Sequence, residues 1–176
     1  ILFIKFIKPV QAKEDIMILK LKYGNVTIEL FSDTAPNHVK RFKQLASEKK
    51  YDGVVFHRVI DGFMAQTGDV EFGNSNLESY DIRRAGTGGS KYEDLKAEFS
   101  NIPHERGTLS MARSAHIDSA NSQFFICFQA TPYLDRQYTV FGKVIQGMEF
   151  VDLIKKGQGA NGAVSDPDKI ISLSAK

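Results

Sequence analysis

The chain has 176 residues, 42% of them hydrophobic and 25% charged, and its 23 Lys and Arg nearly balance its 21 Asp and Glu. This is the composition of an ordinary globular domain, and a net charge of +2 gives no electrostatic case for nucleic acid or an anionic membrane as the main partner. The single cysteine, Cys127, excludes an internal disulfide and any multi-cysteine metal site.

Residues 1–12 read Ile-Leu-Phe-Ile-Lys-Phe-Ile-Lys-Pro-Val-Gln-Ala, an apolar stretch interrupted by two lysines. The ending Val-Gln-Ala is typical of a signal-peptide cleavage site after Ala12. We therefore expect a periplasmic or secreted protein, with a cytoplasmic protein carrying a frayed or strand-like extension as the alternative. Residues 1–15 are interpreted as an N-terminal extension or residual signal peptide, and residues 16–176 as one domain.

The first elements are a hairpin and a helix. Alternating apolar residues over 16–21 and 26–31, separated by a Gly-Asn turn, predict two paired β-strands. Pro36, followed by apolar residues at three- and four-residue spacing through a Lys-rich segment, predicts an amphipathic helix that ends near Lys50.

Short apolar runs bounded by turn residues dominate the rest of the chain, and this pattern favours a β-sandwich or barrel. The runs lie at 54–60, 63–66, 108–112, 123–128 and 139–145. A second helix is predicted over 148–156 and a closing strand over 170–173. The polar, Gly-rich stretch 69–91 is a long loop, and loops of this length in compact domains are often functional.

One tempting motif is rejected on its context. The stretch 157–162, Gly-Gln-Gly-Ala-Asn-Gly, has the spacing of a dinucleotide-binding fingerprint, but it follows a helical pattern and only 14 residues remain after it. The sequence also lacks a nucleophile elbow, a phosphate-binding loop, His-Glu-x-x-His and Cys-x-x-Cys. We therefore expect no metal and no cofactor.

Arg58 is the first polar residue that a plain core does not explain. In the run 54–60 it shares a strand face with Phe56 and Ile60, so its guanidinium lies among apolar neighbours, and Gln66 can face the same point across the next turn. The alternative is an Arg at a strand edge that reaches solvent along its aliphatic stem. The neighbouring His57 is interpreted as a structural imidazole.

The run 123–128 has two different faces. One face is expected to be core and consists of Phe124, Ile126 and Phe128. The other face is a candidate pocket wall and consists of Gln123, Phe125 and Cys127. Because no flanking motif argues for a lowered thiol pKa, Cys127 is interpreted as a packing residue.

Five ordered motifs resemble those of cyclophilins. They are Phe-His-Arg-Val-Ile-Asp-Gly-Phe-Met-Ala-Gln-Thr-Gly-Asp at 56–69, Gly-Thr-Gly-Gly at 86–89, Gly-Thr-Leu-Ser-Met-Ala at 107–112, Asn-Ser-Gln-Phe-Phe-Ile at 121–126 and Val-Phe-Gly-Lys-Val at 140–144. The resemblance implies a mostly-β fold, a closed eight-stranded antiparallel β-barrel capped by two α-helices, with a packed interior and a groove on its outer surface. It also implies cofactor-free peptidyl-prolyl cis/trans isomerisation that assists protein folding.

The same resemblance implies roles for individual residues. Arg58 is the catalytic guanidinium, and Gln66 and Phe63 complete the catalytic set. The substrate-binding residues are Met64, Ala112, Arg113, Gln123, Phe125, Tyr133, Leu134 and Tyr138, of which Ala112 and Arg113 contribute main-chain groups. The expected partners are proline-containing peptides and unfolded or folding proteins, bound by a monomer.

Three positions depart from the pattern of many relatives. Arg113 stands where they have Asn, and this change is expected to matter little if the contact is through backbone. Tyr133 replaces Trp, which predicts weak cyclosporin binding, and Tyr138 replaces His, which leaves substrate preference open. The long stretch 70–85 resembles exported bacterial cyclophilins.

Two alternatives remain open at this point. The first is a non-catalytic member of the family that binds proline peptides or acts as a chaperone. The second is a lipocalin-like barrel around an apolar ligand, which requires a hollow interior.

Overall fold

The computed structural model describes residues 15–176, so the expected cleavage site after Ala12 lies outside the described residues. The elements in chain order are β1 (Ile16–Leu21), β2 (Gly24–Leu30), α1 (Pro36–Ser47), β3 (Arg58–Ile60), β4 (Met64–Thr67), β5 (Thr108–Met111), β6 (Phe124–Cys127), a 3-10 helix (Pro132–Leu134), β7 (Val140–Gln146), α2 (Met148–Asp152) and β8 (Ser172–Ala175). The predicted mostly-β fold with two helices is confirmed.

The eight strands form one sheet in the order β3-β4-β6-β5-β7-β2-β1-β8, and every neighbouring pair is antiparallel. The sheet is an open half-barrel with β3 and β8 at its edges. Beside β3, residues 163 and 169 make isolated bridges to residues 58 and 55. The expectation of a closed barrel is therefore not confirmed, because no continuous ladder joins the two edge strands.

The predicted hairpin of β1 and β2 is confirmed, but its turn lies at Lys22 and Tyr23, and the Gly-Asn pair expected to form the turn begins β2 instead. Leu21 lies opposite Gly24, whose φ is +151°. A Cβ on Gly24 would lie 2.6 Å from the ring of Phe150. Glycine is therefore favoured at position 24 both by the backbone conformation there and by the close packing of Phe150, a residue of α2.

Two predicted elements are shorter than expected. The run 54–60 is a regular strand only from Arg58, since the N–H of Phe56 donates to the carbonyl of Asp168 (2.8 Å) and its side chain is fully buried in the core. The expected common face of Phe56 with Arg58 and Ile60 is thus wrong. α2 ends at Asp152 because the following chain turns back, so that the N–H of Gly157 donates to the carbonyl of Val59 (2.8 Å).

Aromatic rings fill the interior between α1 and the sheet. Phe42 of α1 is fully buried, and its ring centroid lies 5.1 Å from those of Phe124 and Phe141 and 5.4 Å from that of Tyr51. Each such ring contributes about 1.5–3 kcal/mol through burial. An interior packed with phenyl rings opposes the lipocalin-like alternative and leaves the outer surface of the sheet for a binding site.

Candidate active site

The β3–β4 hairpin brings Arg58 and Gln66 together. The two residues are directly opposite in the strand register. Nη1 of Arg58 donates to Oε1 of Gln66 (3.2 Å), and Nε of Arg58 donates to the carbonyl oxygen of Asn161 (2.8 Å). Two of the five guanidinium N–H donors therefore fix the direction of the Arg58 side chain. Gln66 was expected from the sequence to face the same point as Arg58, and the two side chains do meet.

β6 forms the floor of the site because successive side chains alternate between its two faces. Phe124 and Ile126 belong to the main core, whereas Phe125 and Cys127 join Met64 in a second apolar cluster on the other face. This division confirms the two faces predicted for the run 123–128. Burial raises the pKa of the Cys127 thiol to about 11, so it is a neutral packing group as expected.

A cavity of about 120 Å³ opens above this floor. Its volume suits a single side chain, because pockets for drug-sized ligands run to roughly 300–1,000 Å³. Nine of the eleven predicted site residues line it, namely Arg58, Phe63, Met64, Gln66, Ala112, Arg113, Phe125, Leu134 and Tyr138. The cavity thus combines an apolar floor with guanidinium and amide groups at its side.

Gln123 lies just outside this cavity and connects it to a larger one of about 470 Å³. Its Oε1 accepts from Nε2 of Gln66 (3.1 Å), and its Nε2 donates to the carbonyl oxygens of Gly86 (3.0 Å) and Gly88 (2.9 Å). A continuous chain of hydrogen bonds therefore runs from Arg58 through two glutamines to the loop 86–88. The Gln123 side-chain amide is held by the protein itself.

Tyr133, the eleventh predicted residue, forms the outer rim of the site. Its side chain is 67% exposed, and its ring lies 5.9 Å from that of Phe63 at an interplanar angle of 32°.

The N–H of Ala112 donates to the carbonyl oxygen of Gln123 (3.0 Å), so it is already occupied. The carbonyl oxygen of Ala112 is therefore the main-chain group of this residue that remains for a peptide.

Tyr138 and Arg113 form one part of the cavity wall. The ring of Tyr138 meets Phe125 edge to face, with 5.9 Å between centroids and 81° between planes. The guanidinium carbon of Arg113 lies 4.5 Å from the centroid of Tyr138. The edge-to-face ring contact and the guanidinium support this wall, although neither Arg113 nor Tyr138 lies on a strand.

Family comparison decides which class of protein carries this pocket. The family model described as cyclophilin type peptidyl-prolyl cis-trans isomerase/CLD matches residues 16–175. The chain belongs to the cyclophilin family. Its expected enzyme class, peptidyl-prolyl cis/trans isomerase, is thereby confirmed.

Curated relatives of this cyclophilin include bacterial isomerases. A probable peptidyl-prolyl cis-trans isomerase of Brucella suis is 60% identical over 162 residues, which cover 92% of this chain and 82% of the relative. A peptidyl-prolyl cis-trans isomerase of Helicobacter pylori (strain J99) is 39% identical over 160 residues, covering 89% of this chain and 90% of the relative.

Solved structures also resemble this cyclophilin. A cyclophilin of Cryptosporidium parvum, crystallised in the presence of the dipeptide Ala-Pro, gives a TM-score of 0.76 at 26% identity and covers 92% of this chain and 98% of its own. A cyclophilin of Hirschia baltica gives 0.78 at 23% identity, covering 93% and 74%, and at that identity shows the fold alone.

Asn161 is a residue of the site that the sequence did not suggest. It belongs to the rejected glycine-rich stretch, which forms a turn beside β3, with the N–H of Val59 donating to the carbonyl of Gly162 (2.8 Å). Gly162 has a φ of +71°, and a Cβ there would meet Ile60 at 2.4 Å. The cyclophilin thus uses these glycines to bring a backbone carbonyl to Arg58, and a sequence separation of 103 residues hides this contact from any local pattern.

His104 is a second residue that sequence reasoning missed. Its Nδ1 lies 3.0 Å from Oδ1 of Asp135, and its Nε2 lies 2.8 Å from Oγ of Ser110. Burial lowers the pKa of this imidazole, and the bond to Asp135 opposes the shift. We assign the neutral tautomer in which Nδ1–H donates to Asp135, so that the one hydroxyl hydrogen of Ser110 is shared between Nε2 of His104 and the carbonyl oxygen of Thr139 (3.1 Å).

Asp69 organises the loop that carries Gly86 and Gly88. The carboxylate is fully buried, and its Oδ2 accepts from the N–H groups of both glycines (2.7 and 2.9 Å). Its Oδ1 accepts from the N–H groups of Glu71 (3.0 Å) and Phe72 (2.9 Å). One side chain therefore ties the start of the stretch 70–85 to its end.

Neither metal-site nor membrane-span geometry is found over residues 15–176. This range holds no group of three or more His, Cys, Asp or Glu arranged to bind a metal ion. The helices described there are also too short and polar to cross a bilayer.

His57 is buried as a structural imidazole, and desolvation lowers its pKa to about 4, so it is neutral at pH 7.

Proposed function

We propose that this protein accelerates rotation about X-Pro bonds in unfolded or folding proteins, with the proline ring in the 120 Å³ cavity and Arg58 as the group that assists rotation. The observation that carries the proposal is the position of the Arg58 guanidinium, held at the side of an apolar, ring-sized cavity by Gln66 and Asn161. No acceptor among residues 15–176 binds Nη2 of Arg58, which leaves those N–H groups for a substrate.

The mechanism we propose involves no covalent step. As the imide twists, the proline nitrogen loses amide resonance, becomes pyramidal and gains a lone pair that accepts a hydrogen bond. Nη2 of Arg58 donates to this nitrogen, and the donation strengthens only as the twist develops, so it favours the transition state over both planar forms. Meanwhile Phe63, Met64 and Phe125 hold the ring, and Gln66 fixes the guanidinium.

The magnitudes are consistent with one charged donor and a rigid pocket. The uncatalysed barrier is about 18–20 kcal/mol, and turnover near 10³ per second requires a barrier of roughly 13 kcal/mol. About 5–7 kcal/mol must therefore be supplied. A preorganised donor is worth roughly 2.7–4 kcal/mol, which assigns about half of the effect to Arg58. Positioning by the pocket supplies the remainder.

A protease-coupled proline-peptide assay tests the proposal. Arg58→Ala should lower kcat/KM by about 10²–10³ while peptide binding falls much less. Arg58→Lys should not restore full activity, because a compact ammonium group lacks the planar fork whose separate nitrogens reach Gln66, Asn161 and the imide nitrogen. Arg106→Ala is the matched control, because that guanidinium pairs with Asp152 away from the cavity. Retention of more than about a third of wild-type activity in a folded Arg58→Ala protein would assign catalysis to pocket strain alone.

A non-catalytic proline-peptide binding module or chaperone is the second candidate. It is favoured only by the apolar part of the cavity lining, which would serve binding as well as catalysis. The same assay separates the two, since a binding module leaves the isomerisation rate at its spontaneous value while still shifting the NMR signals of a proline peptide.

We also propose that the protein acts outside the cytoplasm, after cleavage of its precursor behind Ala12. The support is the apolar run that ends in Val-Gln-Ala. N-terminal sequencing of the protein from its native cell tests this proposal: a cytosolic product that retains residues 1–12 contradicts it.

A further inference from the structure

The side chain of Arg113 spans the two loops that form the wall of the site. Its Nε and Nη2 donate to the carbonyl oxygen of Gln137 (3.1 and 2.7 Å), and its Nη1 donates to that of Ser114 (3.0 Å). The guanidinium covers the outer face of Tyr138. The fork geometry of arginine is therefore used to fix this cation at one place beside the cavity.

The charge of Arg113 has no carboxylate partner in the part of the chain that the structure describes. All its hydrogen-bond acceptors are neutral carbonyls, and no Asp or Glu among residues 15–176 lies within 4 Å of its guanidinium. Arg58 is likewise without an ion pair over the same range. Two unneutralised guanidinium groups thus line one cavity of about 120 Å³.

The adjoining cavity of about 470 Å³ has one acidic residue among the described residues that line it. The acidic residue that lines it is Asp94, an exposed side chain whose Oδ1 already accepts from Nδ2 of Asn121 (3.0 Å). Arg113 lines both cavities, whereas Asp94 lines only the larger one. A peptide that enters the smaller cavity therefore meets two guanidinium groups, and no carboxylate is among the described residues that line it.

From these positions we infer that Arg113 determines specificity, selecting X-Pro segments that carry Asp or Glu next to the proline. The inference rests on the proposed function and adds a substrate class to it. The Arg at this position was expected to matter little because family members use backbone there. Its side chain, however, is aimed along the wall of the cavity, and its charge is free to attract a carboxylate.

The test compares peptides that differ in one charge. The residue before proline is Glu, Gln or Lys in one series, and the residue after proline is varied in a second. Isomerisation is followed by NMR exchange, which needs no protease, and Kd is measured by titration. In at least one of the two series, the wild-type protein should have a kcat/KM about threefold to tenfold higher for the Glu peptide than for the Gln peptide at low salt. This is the effect expected when two unit charges attract each other at a solvent-exposed surface. The ratio should approach one at 0.5 M salt, where the Debye length is only about 4 Å.

Variants separate the charge of Arg113 from its bracing contacts. Arg113→Gln should lower activity on every peptide, since Tyr138 loses its support, and should lower the Glu-to-Gln ratio by about threefold or more. Arg113→Lys should retain most of the ratio, because it keeps the charge but not the fork. Arg136→Asn is the matched control: it removes one positive charge from an exposed residue in the next loop, and Asn tolerates its φ of 59°. This control should leave the ratio unchanged.

Failure of the inference is distinguishable from failure of the proposed function. An active protein whose Glu-to-Gln ratio is near one in both series, or is unchanged in Arg113→Gln, overturns the inference alone. A protein that isomerises no peptide but whose Kd still favours Glu overturns the proposed function and supports the role of Arg113 in recognition.

Discussion

The imidazole of His104 lies almost parallel to the ring of Phe125, with 6.2 Å between the centroids and 14° between the planes. Phe125 is the floor of the cavity, and His104 is the layer directly beneath it. The imidazole is bonded to Asp135, which follows the 3-10 helix, and to Ser110 of β5. His104 therefore sets the height of the floor relative to the wall and acts as a positioning residue.

We predict that His104→Leu lowers both stability and activity. Loss of the imidazole removes one hydrogen bond to the Asp135 carboxylate and one to Ser110, although Asp135 keeps its bond from the backbone N–H of residue 104 and Ser110 keeps its bond to the Thr139 carbonyl. The free energy of unfolding should therefore fall by about 1–3 kcal/mol. His38→Leu is the control, since His38 is equally buried and bonded to Glu98 (2.6 Å) but lies on α1. Urea unfolding should give similar losses for both variants, and only His104→Leu should lower kcat/KM. Equal activity in the two variants would refute a positioning role.

We predict that Asp69→Asn disturbs the site from a distance. The amide of Asn has only one oxygen, so in either orientation its NH2 group meets one of the two pairs of N–H groups that Asp69 binds. At least two charge-assisted hydrogen bonds are lost, and the unfolding free energy should fall by about 2–4 kcal/mol. kcat should fall more than KM rises, because the released loop no longer holds Gln123. Asp81→Asn, in the same loop but more exposed, should be nearly neutral in the same assays.

We predict weak inhibition by cyclosporin. In the family this ligand is held partly by the indole N–H of a Trp, and Tyr133 has no such donor at that place. Tyr133→Trp should tighten the inhibition constant with little change in turnover, whereas Tyr133→Phe should leave it weak. An inhibition constant for wild type as low as that of Trp-bearing relatives would show that stacking on Phe63 is sufficient.

We predict that stability falls as the pH is lowered from 6.5 towards 4. Burial lowers the pKa of His57 to about 4, so in this window the unfolded chain binds a proton that the native protein does not. His57 should thus cost about 2–3 kcal/mol of stability by pH 4.5. Urea unfolding at pH 7 and pH 4.5 should show a smaller loss for His57→Gln than for wild type. His116→Gln, which changes an exposed imidazole, should behave as wild type does.

Local patterns predicted most of the sheet because period-two alternation decides which face each side chain takes. The opposite faces of Phe124 and Phe125 and the pairing of Arg58 with Gln66 follow from that rule and one turn. The rule failed at Phe56, where the chain is extended but leaves the ladder to bond Asp168. A hydrogen bond between residues so distant in sequence cannot be predicted from the alternation of side chains in a short stretch of sequence.

The parts of the site that the sequence did not predict are made by residues that are distant in sequence from Arg58 and Phe125. Asn161 reaches Arg58 through a backbone carbonyl, which any residue type could supply, so its identity carries no signal. His104 stands alone between Pro103 and Glu105, and its partners lie on two other segments. Closure of the sheet was also misjudged, because family resemblance implies an architecture without giving the length of β3.

The distribution of the site between strands and loops has a consequence for how this molecule can change. Arg58, Gln66 and Phe125 lie on strands whose opposite faces build the core, so substitutions that shift them also disturb folding. Arg113, Tyr133 and Tyr138 lie outside the regular strands, where replacement alters what is admitted without moving the strands beneath. A lineage can therefore change what the site admits by varying these rim residues, while the strands that carry Arg58, Gln66 and Phe125 keep their places in the sheet.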